Sequence, residues 1–124
     1  MKLLNHEKLE ALRELLSAGD LNRLLKRVAS DLGPQVRQLC ASVLEGDKSA
    51  VRALVHRLKG TLSNFGCDAL VETLIRIEAG FSSEPMYRPS SEALKQVEVL
   101  ALDTVRALEH YINGSGGNNQ PPAC

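Results

Sequence analysis

Val51–Gly66, VRALVHRLKGTLSNFG, is the stretch whose reading decides the fold. On a helical wheel at roughly 100° per residue, Val51, Leu54, Val55, Leu58, Leu62 and Phe65 share one sector of roughly 100°. Lys59, Gly60 and Ser63 fall on the opposite side, within roughly 60° of His56. The spacing therefore predicts a helix with one stripe in a core and His56 in solvent, a cation one turn away and a glycine beside it. A helix-interior glycine costs about 1 kcal/mol relative to alanine. Nothing about packing an outward face asks for Gly60, so its place is explained by something large that must come close to the imidazole.

Outward from this stretch the chain reads as helices throughout. Asn5 is placed to cap a first short helix to about Ser17, with Leu9, Leu12, Leu15 and Leu16 inward. Ala18-Gly19-Asp20 is read as its stop, with Asp20 as the next cap. A second helix is expected from about Leu21 to Glu45, burying Leu21, Leu24, Leu25, Val28, Leu32, Val36, Leu39, Cys40, Val43 and Leu44. Gly33-Pro34 interrupts it, and Gly-Pro ordinarily breaks a helix. The apolar phase nevertheless continues from Val28 and Leu32 to Val36 and Leu39, which favours one kinked helix. Asp47 or Ser49 caps the central helix, and Gly66 ends it in the left-handed position that glycine tolerates. Asp68 is the expected cap of a fourth helix to about Ala79, built on Leu70, Val71, Leu74, Ile75 and Ile77. Gly80–Ser90, with two prolines and three serines, is expected to be a loop. A last helix from about Ser91 to Asn113 buries Leu94, Val97, Leu100 or Ala101, Val105, Leu108 and Ile112, with Glu92 in its first turn, where its charge suits the helix dipole. The result is an all-α, antiparallel four-helix bundle with a short extra N-terminal helix over residues 1–113. GSGGNNQPPAC, residues 114–124, has nothing to bury and reads as a disordered tail.

Composition narrows the function classes. The 124 residues suffice for one domain with its own core. The 15 basic and 15 acidic residues cancel, so no strong field recommends nucleic acid or an anionic membrane as partner. No apolar run has transmembrane length, and the N-terminus carries Lys2, Glu7 and Lys8 in place of a signal peptide's apolar core. Cys40, Cys67 and Cys124 are odd in number and fit no metal motif. The first two sit in apolar patterns as small hydrophobes, which suits a reducing cytoplasm. There is no nucleotide-binding glycine loop, no nucleophile–base pair and no H-x-x-x-H or E-x-x-H metal pair. His6 and His110 read as solvated side chains.

A solitary exposed histidine can still be a nucleophile, because neutral imidazole offers an unprotonated nitrogen near physiological pH. Phosphoryl transfer asks chiefly for in-line positioning and charge cancellation, which Lys59 can supply. The pattern His56-x-Leu58-Lys59-Gly60, closed by Gly66, resembles the signature of histidine-containing phosphotransfer domains. The resemblance is strongest over Asp47–Glu78 and extends more loosely, as helix order and length, over about Leu4–Asn113. It implies a four-helix bundle that takes a phosphoryl group from one receiver-domain aspartate and passes it to another. By that resemblance His56 is the phosphoacceptor, through Nε2, Lys59 stabilises the phosphate, Gly60 is the docking gap and Gly66 the turn.

Ser63 shares the face of His56, and Arg52 and Arg57 flank it as candidate docking residues, although solvated arginines look the same in sequence. The implied partners are receiver domains of a hybrid sensor kinase or a response regulator. The implied carrier is a monomer without a cofactor or metal of its own, and Mg²⁺ and most of the catalysis come from the receiver. The alternative is a helical adaptor that binds such domains without phosphotransfer. A kinase dimerisation hairpin fits less well, because Arg57 rather than an acidic residue follows His56.

Overall fold

The computed structural model describes residues 2–84 and 86–114. Five helices follow one another: α1 (His6–Leu15), α2 (Ala18–Glu45), α3 (Lys48–Asn64), α4 (Asp68–Ser83) and α5 (Ser91–Gly114), with no strand among the described residues. The four long helices form a closed ring, in which α2 packs on α3 and α5, and α4 packs on the same two neighbours. Connections of two or three residues at 46–47 and 65–67 force antiparallel neighbours. α1 lies against α2. The architecture is the expected four-helix bundle with an extra N-terminal helix.

The core is built from leucine and valine. Leu21, Leu25, Leu39, Val55, Leu70, Leu74, Val97 and Leu108 are all fully enclosed. α2 runs unbroken through Pro34. The ring forfeits one intrahelical hydrogen bond, but Leu32, Val36 and Leu39 stay buried on one stripe across it, and breaking the helix would turn that stripe out of phase. Most helix starts satisfy an unpaired backbone donor with a side-chain cap. Asn5 accepts from the Lys8 N–H at 3.0 Å, Asp47 from Ala50 at 3.1 Å and Ser90 from Ala93 at 3.0 Å.

Several local expectations are corrected. Ser17, not Asp20, caps α2, accepting from the Asp20 N–H at 3.1 Å, so Ala18-Gly19-Asp20 is the first helical turn and not a stop. Serine two residues before glycine offers the same cap as the aspartate, and one turn more of helix results. Asp68 lies inside α4, whose cap position is Cys67 with no side-chain bond. Leu15 and Leu44 are exposed at 81% and 77%. Both sit in last turns, where the neighbouring helix no longer covers the stripe. Leu24 and Ile75 are nearly half exposed, and Gly114 is the last residue of α5 and not the start of the tail. Residues 115–124, expected to be disordered, lie outside the described residues.

α4 extends four residues beyond the expected Ala79, through Gly80-Phe81-Ser82-Ser83. The reason is tertiary. Tyr87 folds back over the helix, its ring edge-on to Phe81 with centroids 5.0 Å apart, and a Cβ added at Gly80 would overlap the Tyr87 ring. Glycine is thus kept in this helix for a close approach, at a propensity cost that the aromatic contact offsets.

The other demanding glycine is Gly66, at φ +69°. Its carbonyl accepts from the Asn5 N–H at 2.7 Å, and the Ala69 N–H donates to the Lys2 carbonyl at 3.1 Å. The N-terminal segment therefore straps the α3–α4 turn, and a Cβ at Gly66 would stand 3.0 Å from the Asn5 Cβ. At the other end of the strap, the Arg13 guanidinium donates to the Tyr111 hydroxyl at 2.9 Å, and that hydroxyl donates to Glu10 at 2.7 Å. His6 is exposed but stacks on Tyr111, and His110 is exposed.

Cys67 is fully buried, and burial, aided by the charge of Asp68, pushes its thiol up to about 12. The half-buried Cys40 thiol is raised too, by burial and then by Glu98. Both are core residues and poor nucleophiles.

Gly80→Ala is expected to destabilise the fold by about 1–3 kcal/mol through overpacking against Tyr87, measured by urea unfolding. Pairing it with Tyr87→Ala should return part of that loss, since alanine is the better helix former once the ring is gone.

Candidate functional site

α3 positions the site. Val51, Leu54, Val55, Leu58 and Leu62 are 0–3% exposed, so the wheel is fixed by burial. His56 is driven to the outside, with 74% of its side chain exposed. Phe65, which shares the stripe, caps the helix end and is only half-buried.

The residue that completes the site comes from α4. The Glu78 carboxylate meets His56 Nδ1 at 2.9 Å through Oε2 and Lys59 Nζ at 2.5 Å through Oε1. The Lys59 hydrogen bond, then the His56 one, hold the Glu78 carboxyl below the usual glutamate range, against the opposing effect of its partial burial. An ionised carboxylate can only accept hydrogen bonds, so Nδ1 carries the proton in this contact. In the neutral ring Nε2 then keeps its lone pair and faces solvent. Glu78 thus selects the tautomer, as second partners of histidines commonly do.

Glu78 was not read from the sequence as a site residue. A signal existed. Glu78 lies one turn after Leu74 and directly after Ile77, both buried, so it borders the core-facing stripe of α4. A charge at that edge needs a partner, and α3 presents only cations.

The other expected residues divide. Lys59 is close to His56 through Glu78, with 27% of its side chain exposed. A Cβ at Gly60 would meet nothing within 4 Å. No contact within the described chain requires glycine there. Ser63 is on the same face, but its hydroxyl donates to the Gly60 carbonyl at 3.2 Å. Arg52 lines the same cleft as His56, whereas Arg57 is exposed and does not. Gly66 is at the turn. Among the described residues no group of three or more His, Cys, Asp or Glu side chains is arranged to hold a metal ion.

Comparison with known proteins bears on the chain as a whole. A family model described as Hpt domain matches residues 4–114. The phosphorelay protein LuxU of Vibrio vulnificus, in strains YJ016 and CMCP6, is 30% identical over 78 residues, 63% of this chain and 68% of that protein. Among solved structures, histidine-containing phosphotransfer protein B (HptB) from Pseudomonas aeruginosa PAO1 has the same fold. Its TM-score is 0.80 at 22% identity, over 90% of this chain and 95% of that one.

The lowered Glu78 carboxyl makes the clamp's sign with pH definite. Its contribution to stability is present above the ordinary glutamate range and is lost as pH falls through the lowered value. In a carbon-detected NMR titration, Lys59→Met should move the Glu78 midpoint upward, because its leading partner is removed. An unmoved midpoint would mean that Lys59 does not hold the carboxylate in solution.

Proposed function

The chain belongs to the Hpt domain family, and from that membership and the His56–Glu78–Lys59 geometry we propose that His56 is the residue that carries the phosphoryl group. The chain's role is histidine phosphotransfer in a phosphorelay. The observation that carries the assignment to His56 is the Glu78 contact at Nδ1, which leaves a nucleophilic nitrogen pointing into open solvent.

In this reading the Nε2 lone pair attacks the phosphorus of a receiver's aspartyl phosphate. The N–P bond forms as the acyl-phosphate O–P bond breaks, and the electron pair of that bond stays on the receiver's aspartate. The ring then carries the phosphoryl group on Nε2 and the proton on Nδ1, and its positive charge faces Glu78. Lys59, on a flexible stem, can leave Glu78 Oε1 for the phosphoryl oxygens. Transfer to a second receiver reverses the bond changes, with the Nδ1 proton retained so that neutral histidine departs.

The receivers belong to a hybrid sensor kinase, a response regulator or both. Mg²⁺ is brought by the receiver, which supplies most of the catalysis, and the protein acts as a monomeric phosphocarrier in the cytoplasm. Among the described residues no helix is long and apolar enough to cross a membrane.

Gly60 fits this reading as a docking gap. Gly60→Ala should stabilise the isolated fold by about 0.5–1 kcal/mol, read by urea unfolding, while Gly60→Leu should slow transfer from a phosphorylated receiver. The assignment itself is tested with phosphorylated receiver domains and Mg²⁺. Acid-labile, base-stable label is expected on wild type and not on His56→Gln, and equal label on both would move the phosphoacceptor elsewhere. With phosphoramidate as a small donor, Glu78→Leu should lower the labelling rate about ten-fold, corresponding to about 1.4 kcal/mol. Glu78→Gln, which still offers Nδ1 an acceptor, should stay much closer to wild type.

A further inference from the structure

The loop between α4 and α5 borders a cavity at the end of the bundle where α3 begins. Its volume is about 220 Å³. Val43 and Val51 line it from α2 and α3, Phe81 from α4, and Tyr87 and Pro89 from the loop. Apolar clusters beneath loops are ordinary packing. Packing does not account for the empty space among these side chains, nor for Met86, which lines the cavity and is 83% exposed. A dry cavity of about 150 Å³ with aliphatic and aromatic walls holds one benzene molecule. By that measure this cavity takes one ring with a short substituent. It is too small for a helix of another protein, which is about 10 Å across.

Charge narrows the substituent. Lys48 and Arg88 line the cavity, and among the described residues that line it none is acidic. The clefts between α2 and α3, between α2 and α5 and between α3 and α4 each carry an acid on their walls: Asp31, Glu98 and Glu78. The Lys48 ammonium stands 4.0 Å from the Met86 sulfur, which places it over the cavity. Arg88 takes part in no ion pair among the described residues. Both cations are also at helix starts, where the dipole favours negative charge. Lys48 is the first residue of α3, and Arg88 shortly precedes Ser91, the first of α5. Asp47, the nearby acid, is engaged as the α3 cap and does not line the cavity.

We propose that this cavity binds a small arylalkyl carboxylate, with its ring among Val51, Phe81 and Tyr87 and its carboxylate at Lys48 and Arg88. Held there, the ligand ties the loop to the start of α3 and stabilises that end of the bundle. None of these residues lines the cleft of His56. Lys48 precedes His56 by roughly 12 Å along α3, so the imidazole stays open when the cavity is filled.

The test titrates phenylacetate into the isotope-labelled full chain and follows the backbone amides by two-dimensional NMR. Saturable shift changes should centre on Lys48, Val51, Phe81, Tyr87 and Arg88, and Tm should rise. Phenylacetamide, which has the same shape without the charge, should bind about ten-fold more weakly, because a charge-assisted hydrogen bond is lost. Arg88→Gln and Lys48→Gln, both at exposed positions, should each weaken phenylacetate about three-fold with unchanged far-UV circular dichroism. Acetate should leave the same amides unmoved. Absence of saturable changes at these residues overturns the proposal. So does equal binding of the amide, which removes the anion, and so does an equal response to acetate, which leaves only a general effect of ions. The amide comparison needs no variant and therefore decides even where a substitution disturbs the fold. Binding is read without phosphotransfer, so the outcome is independent of the assignment of His56.

Discussion

Burial of one stripe of α3 is the constraint on which the site depends. Five aliphatic side chains, Val51, Leu54, Val55, Leu58 and Leu62, lose nearly all their exposed surface, a gross gain of roughly 10 kcal/mol at 1.5–3 kcal/mol each. That gain fixes the rotation of the helix about its axis. Turning His56 inward by half a turn would expose the whole stripe and bury an imidazole and an ammonium, and no local preference of a single side chain can compete with that. The direction in which His56 points is therefore a property of the core. The same burial presses α3 against α4 and brings Glu78 within hydrogen-bonding reach of both His56 and Lys59.

The fold was legible because helical periodicity is redundant. One misplaced leucine, such as Leu15 or Leu44 at a helix end, does not alter the phase that the others set. The same redundancy carried α2 through Pro34, where a local rule predicts a break but the core stripe continues. Helix ends were less legible, because competing residues offer the same local bond. Ser17 and Asp20 can each cap a helix, and which of them does so depends on how far α2 finds a partner. The extension of α4 past Ala79 depends on Tyr87 lying across Gly80, a contact made from the loop after α4 that no periodicity announces.

The site divides along the same line. His56, Lys59 and Gly60 share one helix, and their relation is fixed by spacing within it. Glu78 stands on another helix, and only the packing of α3 on α4 makes it a neighbour. Arg57, which sequence distance places next to His56, turns roughly 100° away around the wheel and does not reach the cleft. Nearness in sequence and nearness at the site agree only for residues three, four or seven positions apart.

Glu78 also resolves a conflict within the site. A lysine beside an unmodified imidazole repels the ring's protonated form, whereas a lysine beside a phosphoryl group is attracted to it. A single carboxylate between the two serves both states. In the proposed reading it engages Lys59 and holds the proton on Nδ1 of the neutral ring before transfer, so the ammonium is not left unpaired. On the proposed assignment of His56, the ring gains charge after transfer and the phosphoryl oxygens bring negative charge, so Lys59 has a better partner and Glu78 keeps the ring. The exchange leaves local charge nearly balanced at each stage, and the half-exposed setting keeps its energy small, because partly solvated ion pairs are worth only about 1 kcal/mol or less. A carrier that must both accept and release its group needs such near-balance. A deeply buried, strongly paired site would hold the phosphoryl group too firmly to pass it on.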